Sequence, residues 1–471
     1  MYKLKTFFQT KPVFLYLLPV FFVLHGFTDN YALVPVKDAL LLVIQYLGIS
    51  VLLALAFWLL YRNFHKANLT AFFIMAFNFF FGSVHDFLKA NFNTTLITRF
   101  SFIIPATLII LFVLIIYIKK SKNSFSGIAK YLNVLFIVLL LLDAGNLLIK
   151  STKAGVPRVV NFPAKPISCD TCSKPDVYLI VADEYAGKTE LKDIFSYDNT
   201  AFENDLSNRG FHILHNTKSN YNWTIYSMAS LLNMSYNENL RSNIINNEDM
   251  FLCADRIETN NISKFFKQIG YQIYNYSFFD LADNPKPITP VFLPKRKALI
   301  TAQTFTNRVN KALWFNFASQ EKIQNILNHN LYNNLEIDSL LRENIKEKKI
   351  APKFVYTHLL MPHYPYYFDS SGKRTKTQGM MDENKVDKKA YIEYLVHCNK
   401  KLLELADYIK TNSTHPPIII FMSDHGFRQF ESSEKVDSLY QFMNINAVFM
   451  PDGNYSGFMM ACQMLISSGL F

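Results

Sequence analysis

The chain has 471 residues, of which 50% are hydrophobic and 15% aromatic. That is too apolar for a plain soluble enzyme and too polar for a transporter built only of membrane spans. The formal charge of +11 is uneven: residues 1–165 hold 16 basic and 4 acidic side chains, the rest 32 and 33. The basic excess therefore belongs to the apolar half, and nothing in the balance points to nucleic acid as a partner.

Five apolar runs occupy about 12–28, 39–61, 69–88, 100–118 and 131–149. Each approaches the ~20 helical residues that cross a bilayer core. The first, preceded by Lys3, Lys5 and Lys11, has no convincing cleavage site and is read as an uncleaved span. Arg62 and Lys66 fall in the second loop, and Lys119, Lys120, Lys122 and Lys130 in the fourth, with no acid beside them. The positive-inside rule then puts the N-terminus in the cytoplasm and residue 150 onward outside. The expected organisation is a five-helix membrane domain (1–150), a Pro- and Lys-rich linker (151–175) and an extracytoplasmic domain (176–471). The expected location is a multi-pass cell (inner or plasma) membrane protein.

Cys169 and Cys172 form a CDTC pair just before the domain. It is open to a local disulfide or two free thiols; a lone CxxC lacks the second pair of a zinc site. Cys253, Cys398 and Cys462 are expected to be buried or idle.

The globular part opens on VYLIVA (177–182), a run suited to a strand buried on both faces. Further strands are expected at 211–216, 271–277, 353–360, 417–423 and 446–450. Helices are expected at 200–209, 224–234, 260–268, 318–347 and 389–411. The alternation predicts an α/β domain with a largely parallel central sheet.

Asp183 and Glu184 follow the first strand, and Asp424, His425 and Gly426 follow PIIIFMS. Ligands of open α/β sheets bind at the carboxyl ends of strands, so both motifs reach one edge. Carboxylates and an imidazole there suit Zn²⁺ or Mn²⁺, although Asp and Gly after strands are also common turn chemistry. Thr224 opens the helical stretch TIYSMASLLNM. As an N-cap it contributes ~1 kcal/mol. At the anion-attracting helix terminus it is also a candidate nucleophile. In FVYTHLLMPHYPYYFD, His358 and His363 are candidates for substrate binding, and His363 for a general acid; packed loop imidazoles are the plainer reading.

The ordered set DVYLIVADEY, NWTIYSMAS, LLMPHYPY and FMSDHG resembles the membrane-bound, sulfatase-like branch of the alkaline phosphatase superfamily. That branch includes lipoteichoic acid synthases and phosphoethanolamine transferases. The resemblance implies an alkaline-phosphatase-like fold and one divalent ion, Zn or Mn, held by Glu184, Thr224, Asp424 and His425. It implies Thr224 as nucleophile and His363 on the substrate side. Asp183 is read either as an extra ligand or, in preference, as standing beside the ion; Ser227 is expected beside the ion too, and Arg428 near a phosphate. The implied reaction moves a phospho-alcohol group from a membrane lipid donor to an envelope glycan or lipid acceptor. An ester hydrolase using the same residues, and a degenerate envelope-binding relative, are the alternatives.

The resemblance has departures. NWTIYSMAS lacks the formylglycine setting of many sulfatases. DHGFR stands where the phosphoethanolamine transferases have DHGES. The chain ends in GFMMACQMLISSGLF soon after NAVFMP, where a polar helix is expected, which reads as a truncated or frameshifted end.

Overall fold

In the computed structural model the described residues are 11–31, 33–92, 95–153, 174–237, 240, 247–281, 283–288, 296–317, 319–375, 387–430 and 436–455. The CDTC pair, Cys462 and the apolar C-terminal tail lie outside them. Two compact units emerge: residues 1–160 with 294–319, and residues 161–293 with 320–471.

The first unit holds helices α1 (Phe14–Asp29), α2 (Val36–Tyr61), α3 (Phe64–Asn91), α4 (Phe100–Lys120) and α5 (Ser126–Lys153). The last four are long and apolar enough to cross a membrane; α1 is shorter, at 16 residues. Side chains such as Leu40, Ile44, Leu52, Leu108, Ile109 and Leu141 are exposed, as expected of helices solvated by lipid. The helices cohere through aromatic packing. The Phe22 and Phe79 rings stack at 4.2 Å, and Phe14 meets Phe72 edge-on at 5.1 Å.

Residues 294–319 are the surprise of this unit. They lie in the stretch read from sequence as catalytic domain, yet they group with the membrane helices. Helices α11 (Ala298–Thr301) and α12 (Phe305–Phe317) occur in them. Ile300 packs with Val23, Val34, Ala39 and Leu42. Arg308 forms a two-pronged ion pair with Asp86 at 2.6 and 2.8 Å. The Gly82 N–H donates to the Gln303 carbonyl at 2.8 Å. A side chain at Gly82 has no room, since its Cβ would stand 2.8 Å from that carbonyl oxygen.

The second unit is built on strands β1 (Val177–Ala182), β2 (His212–Ile213), β3 (Gln272–Tyr276), β4 (Lys353–Leu359), β5 (Ile418–Met422) and β6 (Asn446–Phe449). Their order is β2-β6-β5-β1-β4-β3. β3, β4, β1 and β5 run parallel, and β6 is antiparallel to both neighbours. Every residue of β1 and β4 is buried, which accounts for the unbroken apolar run of β1. Helices α6 (Lys188–Phe195), α7 (Thr200–Asn208), α8 (Thr224–Asn233), α9 (Asn247–Glu258), α10 (Asn261–Gln268), α13 (Gln320–Leu327), α14 (His329–Lys346) and α15 (Lys388–Asn412) complete the unit. The single helix expected over 318–347 is divided at Asn328, between α13 and α14.

Candidate active site

Register brings the site together. Val181 of β1 pairs with His358 on one side and Met422 on the other. Cross-strand partners share a face, and side chains repeat every second residue. Asp183 and Asp424, each two positions beyond a paired residue, therefore join His358 on one face. The Asp183 N–H extends the ladder to the Leu359 carbonyl at 3.0 Å. Donor atoms of Asp183, His358 and Asp424 lie within 4.8 Å of one another, and all three residues are buried.

Asp183 Oδ1, His358 Nε2 and Asp424 Oδ2 have no hydrogen-bond partner among the described residues. Leaving buried acceptors unmet costs about 1–3 kcal/mol each. Two carboxylates and an imidazole lone pair, all unmet and convergent, suit a divalent cation such as Zn²⁺ or Mn²⁺. The other ring nitrogen of His358 is 2.9 Å from the Tyr356 hydroxyl, the kind of contact that orients a ligating imidazole. Burial pushes the Asp183 carboxyl well above its ordinary range, and the charge of Asp424 adds to this. Burial holds His358 down to about 4, so it is neutral and able to ligate.

The resemblance put Glu184 on the ion and left Asp183 as an extra ligand or a neighbour; in the structure it is Asp183 whose carboxylate groups with His358 and Asp424. Glu184 has left-handed backbone, φ 60°, a conformation costly for a non-glycine residue and frequent at functional sites. Its carboxylate accepts the Arg428 N–H at 3.3 Å and stands 3.7 Å from His363 Nε2. Its own N–H donates to Asp424 Oδ1 at 3.1 Å. Glu184 thus braces the Asp424 loop and faces the histidine of the HYP loop.

Thr224 is the first residue of α8. Trp223 occupies the N-cap position, and no side chain caps the helix, so the capping role weighed for Thr224 is not the one it fills. Its hydroxyl is 3.3 Å from His425 Nε2. His425 Nδ1 is 2.7 Å from the Gly426 carbonyl, which can only accept. The ring proton therefore sits on Nδ1, and Nε2 turns a lone pair toward Thr224. Burial lowers the pKa of His425, keeping that lone pair free at neutral pH. Ser227, one turn along α8, donates to the Asp424 carbonyl at 2.6 Å and ties helix to loop.

His363 is the opposite case. Burial works to lower its pKa, but the Asp183 and Glu184 carboxylates outweigh it and the net shift is upward. Its Nδ1 is 2.6 Å from the Tyr364 carbonyl, leaving Nε2 toward Glu184. Arg428 lies with its guanidinium carbon 3.9 Å from the centre of the Trp223 ring. Its Nη1 has no hydrogen-bond partner among the described residues. All nine residues singled out from sequence thus fall in this one region, linked by the contacts above.

Other supports have no signature in sequence, because they depend on long-range contacts. Ser423 Oγ accepts the Tyr185 N–H at 2.9 Å and donates to the His425 carbonyl at 2.6 Å. The Tyr391 hydroxyl donates to the Glu184 carbonyl at 2.8 Å. Buried Glu190 accepts the Phe427 N–H at 3.2 Å.

The acidic and imidazole cluster thus lies at the carboxyl edge of the parallel strands β1, β4 and β5. The sequence model of the Sulfatase family matches residues 175–455, and the chain belongs to that family of enzymes. No curated protein matches in sequence. Solved structures with some likeness include the zinc complex of the C-terminal periplasmic domain of EptC from Escherichia coli. It is 13% identical, covering 61% of this chain and 76% of its own, with a TM-score of 0.37. Lipooligosaccharide phosphoethanolamine transferase A from Neisseria meningitidis, soluble domain, is 10% identical over 59% and 77%, with a TM-score of 0.33. The phosphonate monoester hydrolase of Agrobacterium radiobacter is 12% identical over 59% and 68%, with a TM-score of 0.37.

Proposed function

We propose that the protein is a membrane-anchored transferase of a phospho-alcohol group, of phosphoethanolamine or phosphoglycerol type. The donor is a lipid, the acceptor is an envelope glycan or lipid, and the catalytic domain faces outward from a cell membrane. The observation that carries this reading is the Thr224 hydroxyl on the lone pair of His425, beside three convergent and unmet ligand atoms. One nucleophile with its own proton acceptor is what transfer through a covalent intermediate requires.

Asp183, His358 and Asp424 would hold the ion. When bound it supplies Lewis-acid stabilisation of negative charge on phosphorus-bound oxygen. Thr224 Oγ1 attacks phosphorus and passes its proton to His425 Nε2. The Oγ–P bond forms as the bond from phosphorus to the lipid alcohol breaks. His363 Nε2 gives a proton to the departing alkoxide, releasing diacylglycerol. Arg428, held against Trp223, orients a non-bridging oxygen. In the second half an acceptor hydroxyl attacks the phospho-Thr224 ester and gives its proton to His363 Nε2, while the P–Oγ bond breaks and the threonine oxygen takes back its proton from His425 Nε2.

Mass spectrometry of the isolated protein tests this directly: the peptide bearing Thr224 carries the mass of the transferred group. Incubation of full-length protein with lipid donor, with and without an acceptor alcohol, separates transfer from hydrolysis. A donor consumed at the same rate whatever the acceptor makes the protein a hydrolase. Protein that never retains Zn²⁺ or Mn²⁺ favours the degenerate binding relative.

A further inference from the structure

We infer a second binding site in the catalytic unit, a carbohydrate cleft that holds sugar units of the acceptor adjoining the one that receives the phospho-alcohol group. Its role as an acceptor site rests on the transfer reaction proposed above; the cleft itself is built from residues that reaction does not use. It lies between α7 and β2 and has a volume of about 420 Å³, within the ~300–1,000 Å³ typical of small-ligand sites.

The sequence of α7 builds one wall. Thr200, Asn204 and Ser207 follow at four and three residues, one helix face, and all three line the cleft. Phe202 and Leu206 are buried on the other side of the helix. Lys188, the first residue of α6, reaches Glu203 with its Nζ 2.5 Å from Oε2. Phe211 and Ile213 supply apolar surface, and exposed His215 stands just beyond β2.

Topology puts this cleft on the edge that carries the nucleophile. β6 is antiparallel to β5, so Asn446 at its amino end stands opposite Met422 at the carboxyl end of β5. Ile213 of β2 pairs in turn with Ala447. The carboxyl end of β2 is therefore two strands from that of β5, about 10 Å at ~4.8 Å per strand. Two segments then run side by side from the cleft to α8. The Leu214 N–H donates to the Asn446 carbonyl at 2.9 Å, the Asn444 N–H to the Thr217 carbonyl at 3.2 Å, and the Ser219 N–H to the Phe442 carbonyl at 2.8 Å. Asn222, two residues before Thr224, donates to Gln441 Oε1 at 2.6 Å. The cleft and the nucleophile are thus joined by one hydrogen-bonded rim.

The chemistry selects the ligand. Lys188 and Glu203 answer each other's charge, so an anion meets the carboxylate and a cation the ammonium. The rest of the wall is amide, hydroxyl and imidazole, which an acyl chain would desolvate at a cost. A neutral ligand that both gives and takes hydrogen bonds, and has an apolar face for Phe211 and Ile213, is a pyranose ring.

The test uses full-length protein in nanodiscs with neutral trisaccharides: maltotriose, mannotriose and triacetylchitotriose. Binding is read by saturation-transfer NMR. Wild type is expected to bind at least one of them with a Kd on the order of 1 mM. Asn204→Leu combined with Ser207→Leu fills the cleft from two exposed helix positions and removes two hydrogen-bonding groups. Its binding should weaken about tenfold, with an unchanged melting temperature. Its KM for an acceptor glycan should rise by a similar factor, while donor labelling of Thr224 keeps the wild-type rate. No binding of any trisaccharide by wild type, equal binding by the double variant, or displacement of the sugar by inorganic phosphate overturns the cleft. An unchanged acceptor KM in the double variant overturns its acceptor role. Thr224→Ala binds the sugar as wild type does. Sugar binding without any label on Thr224 therefore sinks the transfer reaction and leaves the cleft standing, and a labelled Thr224 without sugar binding does the reverse.

Discussion

Thr224 Oγ1 and His425 Nε2 stand 3.3 Å apart although 201 residues separate them in the chain. Thr224 begins a helix it does not cap, so its hydroxyl is free of a structural duty to the backbone.

Thr224→Ala is therefore expected to lower kcat by about a thousandfold or more, as removal of a nucleophile does. The melting temperature should stay close to wild type. Thr224→Ser keeps the hydroxyl and part of the rate. Unchanged activity in purified Thr224→Ala would falsify the nucleophile role.

Metal content separates the two neighbouring acids. Asp183→Asn, His358→Ala and Asp424→Asn should each lose the ion by elemental analysis. Glu184→Gln should retain it and lose activity, because Glu184 faces His363 and Arg428. At a hundredfold excess over its Kd an ion adds about 2.7 kcal/mol to stability. A chelator should accordingly lower the melting temperature of wild type and leave that of Asp424→Asn unmoved.

Glu190 gives a pH dependence that does not involve the ion's ligands. Burial raises its carboxyl well above the ordinary range, opposed in part by the Phe427 N–H. The folded state then binds a proton more readily than the unfolded one, and stability falls as pH rises from about 4.5 toward the folded pKa. Glu190→Gln keeps an acceptor for Phe427 and removes the titration. Its stability should equal or exceed wild type at neutral pH, with the difference vanishing near pH 4. A difference that grows toward acid contradicts this account.

Gly82 reports on the docked segment. Alanine there places a carbon 2.8 Å from the Gln303 carbonyl oxygen, an overpacking of the kind that costs roughly 1–3 kcal/mol. Gly82→Ala should make residues 296–313 more sensitive to protease in detergent. Ala90→Gly, on the same helix away from that contact, should not.

Much of this was legible in sequence because local patterning and long-range order agreed. The continuous apolar run of β1 reported burial on both faces, and the acidic motifs after β1 and β5 pointed to one sheet edge. The placing of Asp183, rather than Glu184, on the face of His358 and Asp424 was hidden. It follows from the pairing of Val181 with His358 and Met422, and register cannot be read from one strand at a time. His358 was read within the expected strand 353–360 as a substrate-side candidate, and only the register put it opposite Val181 of β1. The split at Asn328 was invisible to an apolar pattern that runs across it. The docking of 294–319 was missed because its partners, such as Asp86 and Gly82, lie more than 200 residues earlier.

That docking changes how the protein comes apart. The chain enters the membrane unit once through α5 and again through α11 and α12, so one cut does not liberate the catalytic region. Proteolysis between residues 153 and 176 should leave both products in the membrane fraction, held by Ile300 and the Arg308–Asp86 pair. A polypeptide begun at residue 175 would carry α11 and α12 with their natural cover removed. It should need detergent to stay dispersed, where deletion of 296–317 relieves that need.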